Sequence, residues 1–237
     1  MSSEFKFKKF TILQDKSAFK VGTDSMLLGA FIDAADAKRG LDLGTGTGVL
    51  ALMIAQKFSE ISIDAMEGDY DSYLECCVNF KNSPWSARLK AHLGDYFDYF
   101  HSDEYDLIFA NPPFYVESEK HTKSSNILTK HTSHNELAQL ISLVSRLLSA
   151  QGVFWIIVPY SIYKNIIEVS YVNKLYINNI TIINSKENKL KTRVIMSLSF
   201  MEKSPVHDEL TIRNLDNSYT TEYIDLTRDF HFKCLKD

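Results

Sequence analysis

The octapeptide Leu41-Asp42-Leu43-Gly44-Thr45-Gly46-Thr47-Gly48 constrains this chain more than any other segment. A short apolar strand signal runs into it and the apolar run Val49–Lys57 leaves it, which reads as strand, tight turn and helix. Three alternating glycines let the backbone turn sharply and approach a ligand that a Cβ would block. Asp42 stands where the strand ends, placed to reach a ligand's ammonium group directly or through solvent. A second strand signal, Ile61–Met66, ends in Glu67. That acid lies about 20 residues past the glycines, the spacing at which a βαβ unit presents a carboxylate to ribose hydroxyls. A dinucleotide site shows the same acid. The pattern here, however, is G-x-G-x-G with an acid ahead of it, which favours S-adenosylmethionine over NAD.

Downstream, strand and helix signals keep alternating. Residues 69–82 are helix-permissive, and Arg88–Leu93 reads as a strand ending at Gly94-Asp95. Asp95 at a strand's C-terminal edge suits a carboxylate accepting from an adenine amino group; it equally suits a turn or helix cap. Tyr105–Ala110 is the next strand. Residues 116–133 are polar and read as one long connection, of the kind that is usually functional or disordered. Asn135–Ser149 shows helical spacing, Val153–Val158 a buried parallel strand, 161–172 a helix, and 175–183 and 193–201 two more strands. Strands alternating with helices imply a doubly wound parallel sheet, whose ligands bind beyond the C-terminal ends of the strands. Gly44–Gly48, Glu67, Asp95 and Asn111–Phe114 all fall at such ends.

Asn111-Pro112-Pro113-Phe114 is the second informative motif. Proline fixes φ at about −65° and has no N–H, so the turn is stiff and its carbonyls are aimed. The Asn111 side-chain oxygen and the Pro112 carbonyl can accept both hydrogens of an –NH2 group, and Phe114 can stack on the ring that carries it. Ahead of the glycines, Lys20–Asp24 can line a cofactor's carboxylate end, with Lys20 and Thr23 the contacts; Thr23 or Asp24 also reads as a helix N-cap. His131 and His134 lack a third ligand nearby, so no metal is expected. Trp85 and Trp155 read as core.

Composition sets the frame. The 237 residues, 45% of them hydrophobic, suit one α/β unit. No apolar run nears the ~20 residues that span a bilayer, and Met1–Lys6 lacks a secretory core. Cys76, Cys77 and Cys234 form neither a metal spacing nor a disulfide framework, so reduced thiols and a cytoplasmic location are expected. Net charge is −4, with no overall nucleic-acid footprint. Lysines nevertheless cluster in residues 1–20, and Lys186, Lys189, Lys191, Arg193 and Lys203 in 184–203; both runs suit phosphate contacts or plain solvation.

Together these residues resemble class I S-adenosylmethionine-dependent methyltransferases that modify exocyclic or amide nitrogens. Phe10–Asp15 followed by Phe19–Gly29 is similar to the N-terminal signature of the bacterial valine-tRNA (adenine-37) N6-methyltransferases. So are Ala55-Gln56, Asn79 with Ser83-Pro84-Trp85, and Tyr219-Thr220 with Leu226–Phe230. The family often carries Tyr where this chain has Phe114, and its Arg-x-x-Ala-Arg-His loop pattern survives only as Leu128-Thr-Lys-His131. The resemblance implies a Rossmann-like, mostly parallel seven-stranded sheet with an antiparallel edge strand. It implies one globular unit, with an N-terminal arm and cofactor-contacting segment over 1–30 and the methyltransferase domain with a C-terminal extension over 31–237. The implied reaction moves a methyl group from S-adenosylmethionine to N6 of adenine 37 in the anticodon loop of a valine tRNA. Asn111, Pro112 and Phe114 would be catalytic. Lys20, Thr23, Asp42, Gly44, Gly46, Gly48, Glu67, Asp95 and Asn111 would hold the cofactor. A monomer with no membrane partner is favoured. The alternatives are N5-methylation of a protein glutamine, methylation of another RNA base, and a non-catalytic RNA-binding module. Against the glutamine reading, only 41 residues precede Asp42, too few for the helical domain such enzymes carry there.

Overall fold

The computed structural model describes residues 3–17, 19–98, 104–113 and 126–232, the side chains of 126–134 excepted. A small antiparallel pair, β1 (Glu4–Lys6) and β2 (Thr11–Leu13), precedes α1 (Thr23–Phe31). The alternation then runs β3 (Arg39–Leu43), α2 (Val49–Lys57), β4 (Ser62–Glu67), α3 (Tyr70–Lys81), β5 (Leu89–Leu93) and β6 (Tyr105–Ala110). It continues with α4 (Asn126–Leu147), β7 (Leu148–Pro159), α5 (Tyr163–Val172), β8 (Tyr176–Asn184), β9 (Lys191–Ser199), β10 (Val206–Thr211) and α6 (Thr221–Thr227).

The main sheet has the order β10-β8-β9-β7-β6-β3-β4-β5. Strands β3 to β7 are mutually parallel, and β9 runs against both β7 and β8. The doubly wound α/β class is therefore as expected, with one strand more. β10 lies parallel outside β8, which puts the antiparallel strand two places in from the edge. Its sequence, Val-His-Asp-Glu-Leu-Thr, is exposed over its first four residues and carries no apolar alternation to announce a strand. Charge on an edge strand also discourages pairing with another chain.

Side-chain alternation builds one core on each face. On β6, Leu107 and Phe109 join α1, α2 and part of α3, together with Phe7, Phe10 and Ile12 of the arm. Ile108 and Ala110 face α4 and α5. Burying each large aliphatic or aromatic side chain of this kind stabilises by about 1.5–3 kcal/mol. Trp155 is buried, and Trp85 sits half-buried edge-on to Phe10.

Two boundaries differ from the sequence reading. α4 begins at Asn126, so 126–133 is helix rather than connection, while 114–125 lie outside the described residues. Its first turns, Asn-Ile-Leu-Thr-Lys-His-Thr-Ser-His, lack the apolar period from which a helix is read. At its other end Leu148 and Ser149 belong to β7, because Leu148 pairs with Tyr105 ahead of an irregularity in the ladder. Gly152 sits at that irregularity, where a Cβ would lie 2.8 Å from the Tyr105 carbonyl oxygen.

Candidate active site

The chain leaves β3 to build β4 and β5 on one side, then returns to place β6 on the other. β3 and β6 therefore flank the topological switch point, where a doubly wound sheet opens a crevice. The glycine loop follows β3 and Asn111 follows β6. A cavity of about 950 Å³ lies there, near the upper end of the ~300–1,000 Å³ usual for ligand sites. Lys20, Thr23, Gly44, Gly46, Glu67, Asp95, Asn111 and Pro112 all line it. The structure thus gathers eight of the residues singled out from sequence around one space.

Local geometry shows how the loop is held. Gly44 and Thr45 both donate backbone N–H groups to the Met66 carbonyl at the end of β4, at 3.0 and 2.9 Å. Gly46 has φ +56° and donates its N–H to Glu67 Oε2 at 2.7 Å. Glu67 Oε1 accepts from the Asp69 N–H at 2.8 Å. One carboxylate so braces the turn from below, and each of its oxygens keeps a further lone pair. A Cβ added at Gly46 would meet nothing within 4 Å; it would simply fill the cavity.

Two expected cofactor residues stand elsewhere. Gly48, φ +84°, is off the cavity wall and serves packing, since a Cβ there would lie 2.6 Å from Phe80 and 2.9 Å from Cys76 Sγ. Asp42 is fully buried behind the loop and does not line the cavity, so it cannot touch a ligand's ammonium group directly. Thr45 Oγ1 donates to its Oδ2 at 2.6 Å, while Oδ1 takes no hydrogen bond of ordinary geometry from the described residues. Burial raises its pKa from 3.8 to about 7, the Thr45 bond opposing and the Glu67 charge adding to that rise.

The other walls come from the ends of α1, β5 and β6. α1 is capped by Gly22, not by Thr23 or Asp24, and among the described residues no side chain accepts from the backbone N–H groups of its first turn. Asp24 turns instead to Arg193, whose Nε donates to Asp24 Oδ2 at 2.8 Å. Both residues line the cavity. Asp95 Oδ1 accepts from the Phe97 N–H at 2.9 Å, so the turn-cap reading holds, and the residue lines the cavity as well. Tyr96 beside it is pushed up to about 12, first by burial and then by Asp95, Glu136 and Glu67. Asn111 Nδ2 donates to Ser25 Oγ at 3.1 Å, and Oδ1 takes no hydrogen bond from the described residues. Phe114 lies outside the described residues, as do the His131 and His134 side chains and Cys234.

Sequence reasoning passed over Ser25, Tyr96, Phe97 and Glu136, all of which line the cavity beside Arg193, a member of the basic run noted in 184–203. Tyr96-Phe97 directly follows Gly94-Asp95, a usable signal; Ser25 comes from a distant segment and gave none, and the charge run around Arg193 did not say that its side chain reaches the cavity. Also unanticipated was Glu75, a buried carboxylate on α3. It accepts the backbone N–H groups of Asp15, Lys16 and Ser17 at 2.6, 3.2 and 3.0 Å. Asn79, one turn on, binds both the N–H and the carbonyl of Leu13 and the Thr47 carbonyl. α3 therefore clamps the arm to the glycine loop.

A doubly wound sheet with a glycine cradle, a bracing acid and an Asn-Pro-Pro turn at one crevice defines a class I S-adenosylmethionine-dependent methyltransferase. Comparison with known proteins agrees. The methyltransferase small domain family matches residues 10–174. The tRNA1(Val) (adenine(37)-N6)-methyltransferase of Flavobacterium psychrophilum is 38% identical over 232 residues, covering 97% of this chain and 99% of its own. That of Actinobacillus succinogenes is 37% identical over 235 residues, 97% of each chain. Among solved structures, a predicted O-methyltransferase from Agrobacterium tumefaciens superposes with a TM-score of 0.67 at 16% identity, covering 87% of this chain and 96% of that one. An O-methyltransferase of neocarzinostatin biosynthesis, solved with S-adenosylmethionine, gives 0.55 at 11% identity, over 73% and 52% of the two chains. The chain belongs to the methyltransferase small domain family and, within it, to the tRNA1(Val) (adenine(37)-N6)-methyltransferases.

Proposed function

We propose that this protein methylates N6 of adenine 37 in a valine tRNA, with the base turned out of the anticodon loop into the Asn111 site. The observation that carries the reading is the Asn111 amide. Its nitrogen is held by Ser25, which leaves Oδ1 as the open acceptor beside the Pro112 carbonyl at the cavity.

S-adenosylmethionine, when bound, supplies an electrophilic methyl group on a sulfonium. Around it, Gly44 and Gly46 allow close backbone approach, and Glu67 accepts from the ribose hydroxyls with its remaining lone pairs. Asp95, through the oxygen not engaged with Phe97, accepts from the adenine amino group. The N-terminus of α1, whose Gly22 cap brings no side-chain acceptor, would receive the carboxylate together with Thr23 and Lys20, since backbone N–H groups and the helix dipole favour an anion. Asp42 acts on the ammonium group only through space.

At the acceptor, Asn111 Oδ1 and the Pro112 carbonyl take the two hydrogens of N6. Holding them draws the nitrogen lone pair out of conjugation and stabilises positive charge growing there, an inverted oxyanion hole. Alignment does the rest, and positioning supplies up to ~7–11 kcal/mol in favourable cases. No strong base is needed, because the methylated nitrogen becomes acidic and releases its proton to water. Unstacking the base costs a few kcal/mol, least in a single-stranded loop. We also infer that the chain acts in the cytoplasm as a monomer, with residues 1–30 as an arm on the methyltransferase domain.

The test is mass spectrometry of nucleosides from tRNA lacking the modification, incubated with protein and S-adenosylmethionine. N6-methyladenosine mapped to position 37 of a valine tRNA is expected. Cofactor binding with no methylated nucleoside would defeat the reading and turn attention to protein glutamines.

A further inference from the structure

The chain is acidic overall, yet one stretch beside the cavity has the opposite sign. Between Lys186 and Arg193 stand four cations and one acid, Glu187. The topology decides where they sit. Because β9 runs antiparallel to β7, its first residues lie at the same sheet edge as the last residues of β7, and Arg193 is in register with Pro159. Both line the cavity. Residues 189–191 continue outward from that rim and are exposed.

Arg193 is fixed in place. Its Nε is held by Asp24 and its Nη1 donates to the Thr192 carbonyl at 3.1 Å, which sets the guanidinium plane at the cavity mouth and leaves Nη2 without a bond from the described residues. Lys191 is two residues back across an irregularity in the ladder: Arg193 pairs with Ile183 and Lys191 with the next residue, Asn184, so the two side chains leave opposite faces of the sheet at one rim. Lys191 Nζ lies 5.6 Å from the centroid of the Tyr160 ring. Tyr160 is the residue after Pro159, its N–H bonds the Thr192 carbonyl at 3.1 Å, and its ring packs 5.1 Å from that of Tyr163. A turn over Lys186–Lys189, closed by a 3.1 Å backbone bond and with Asn188 at φ +58°, places Lys189 beyond them.

Cations on both faces of one sheet rim beside paired aromatic rings are what a single nucleic-acid strand crossing that rim requires: charge for the backbone, π faces for the bases. We propose that the rim carrying Arg193, Lys191 and Lys189, with Tyr160 and Tyr163, is the crossing for the RNA strand flanking the target adenosine. Arg193 engages the phosphate at the cavity mouth, and the lysines take those further out. The proposal rests on the tRNA reading above and deepens it, since it assigns the binding surface of that same site.

Steady-state methylation of an unmodified valine tRNA transcript, run over a salt series, tests it. The double charge reversal Lys189→Glu/Lys191→Glu touches only exposed side chains. It is expected to raise KM for the transcript about tenfold or more and to flatten the log–log salt dependence by about 1.4, or 0.7 for each single-strand phosphate no longer neutralised. Affinity for S-adenosylmethionine alone should stay within twofold, and Lys189→Arg/Lys191→Arg should restore KM. A wild-type enzyme that makes N6-methyladenosine beside a double variant with unchanged KM and salt slope would overturn the surface alone. A wild type that methylates no tRNA would remove the function and this surface together.

Discussion

At the scale of single residues, the site depends on which atom of Asn111 faces the substrate. Asn111→Ala removes the acceptor, and kcat should fall about 10²–10³-fold, the loss typical of one transition-state hydrogen-bonding group. Calorimetric affinity for S-adenosylmethionine should change little; equal loss of binding and turnover would count against the acceptor role. Ser25→Ala leaves the amide present but free to turn, and a bond of about 1.4 kcal/mol corresponds to roughly tenfold in kcat. Ser25→Thr, which keeps the hydroxyl, should recover most of it. Asp42 adds a pH signature. Its folded pKa is raised from 3.8 to about 7, so between those values the folded state holds a proton that the unfolded chain has released. Stability therefore falls as pH rises through that window, and Asp42→Asn should flatten this part of the curve. A cationic cofactor nearby favours the ionised form, so binding at about pH 6 should expel a proton. Binding heats that do not differ between two buffers of unlike ionisation enthalpy would refute it.

Among the elements, α3 links the arm to the cofactor loop. Glu75→Ala strands three backbone N–H groups just ahead of the cavity wall at Lys20–Thr23. Each unsatisfied group costs ~1–3 kcal/mol if it stays dry, so the segment should detach instead. Faster amide exchange over 13–22 and weaker cofactor affinity, with exchange in β3–β7 unchanged, is the expected pattern. Loss of protection throughout the sheet would mean that the clamp supports the whole fold. Most of the alternating elements were legible because their signals are local: apolar runs on β3, β4, β6 and β7, and glycines between β3 and α2. α4 was read nine residues short because its first turns show no apolar stripe, and β10 was missed because a charged edge strand shows no alternation. The site divides in the same way. Gly44, Gly46, Glu67 and Asn111 carry spacing that a sequence displays. The Ser25–Asn111 bond, 86 residues apart, and the Asp24–Arg193 pair, 169 apart, exist only once the sheet has formed. Asp42 and Gly48 belong to the right motif, but the motif does not say which members face the ligand.

Over the whole molecule, both ends of the described chain close one face of the sheet. Tyr223 and Phe230 are buried in the core that also holds Phe7, Phe10 and α1. Phe230→Ala should cost about 3–5 kcal/mol, read from a lower urea midpoint at an unchanged m-value. The backbone seals the same junction: the Lys8 N–H donates to the Phe230 carbonyl at 3.0 Å, and Phe7 bridges His231.

That junction sets an order on biosynthesis. Phe7 and Phe10 leave the ribosome more than two hundred residues before Phe230, their lid. At ~5–20 residues per second, translation keeps them waiting roughly ten to forty seconds. The two stacked rings, 4.3 Å apart, spend that interval without their final cover. The arm's core on this face is therefore complete only after Phe230 has cleared the exit tunnel.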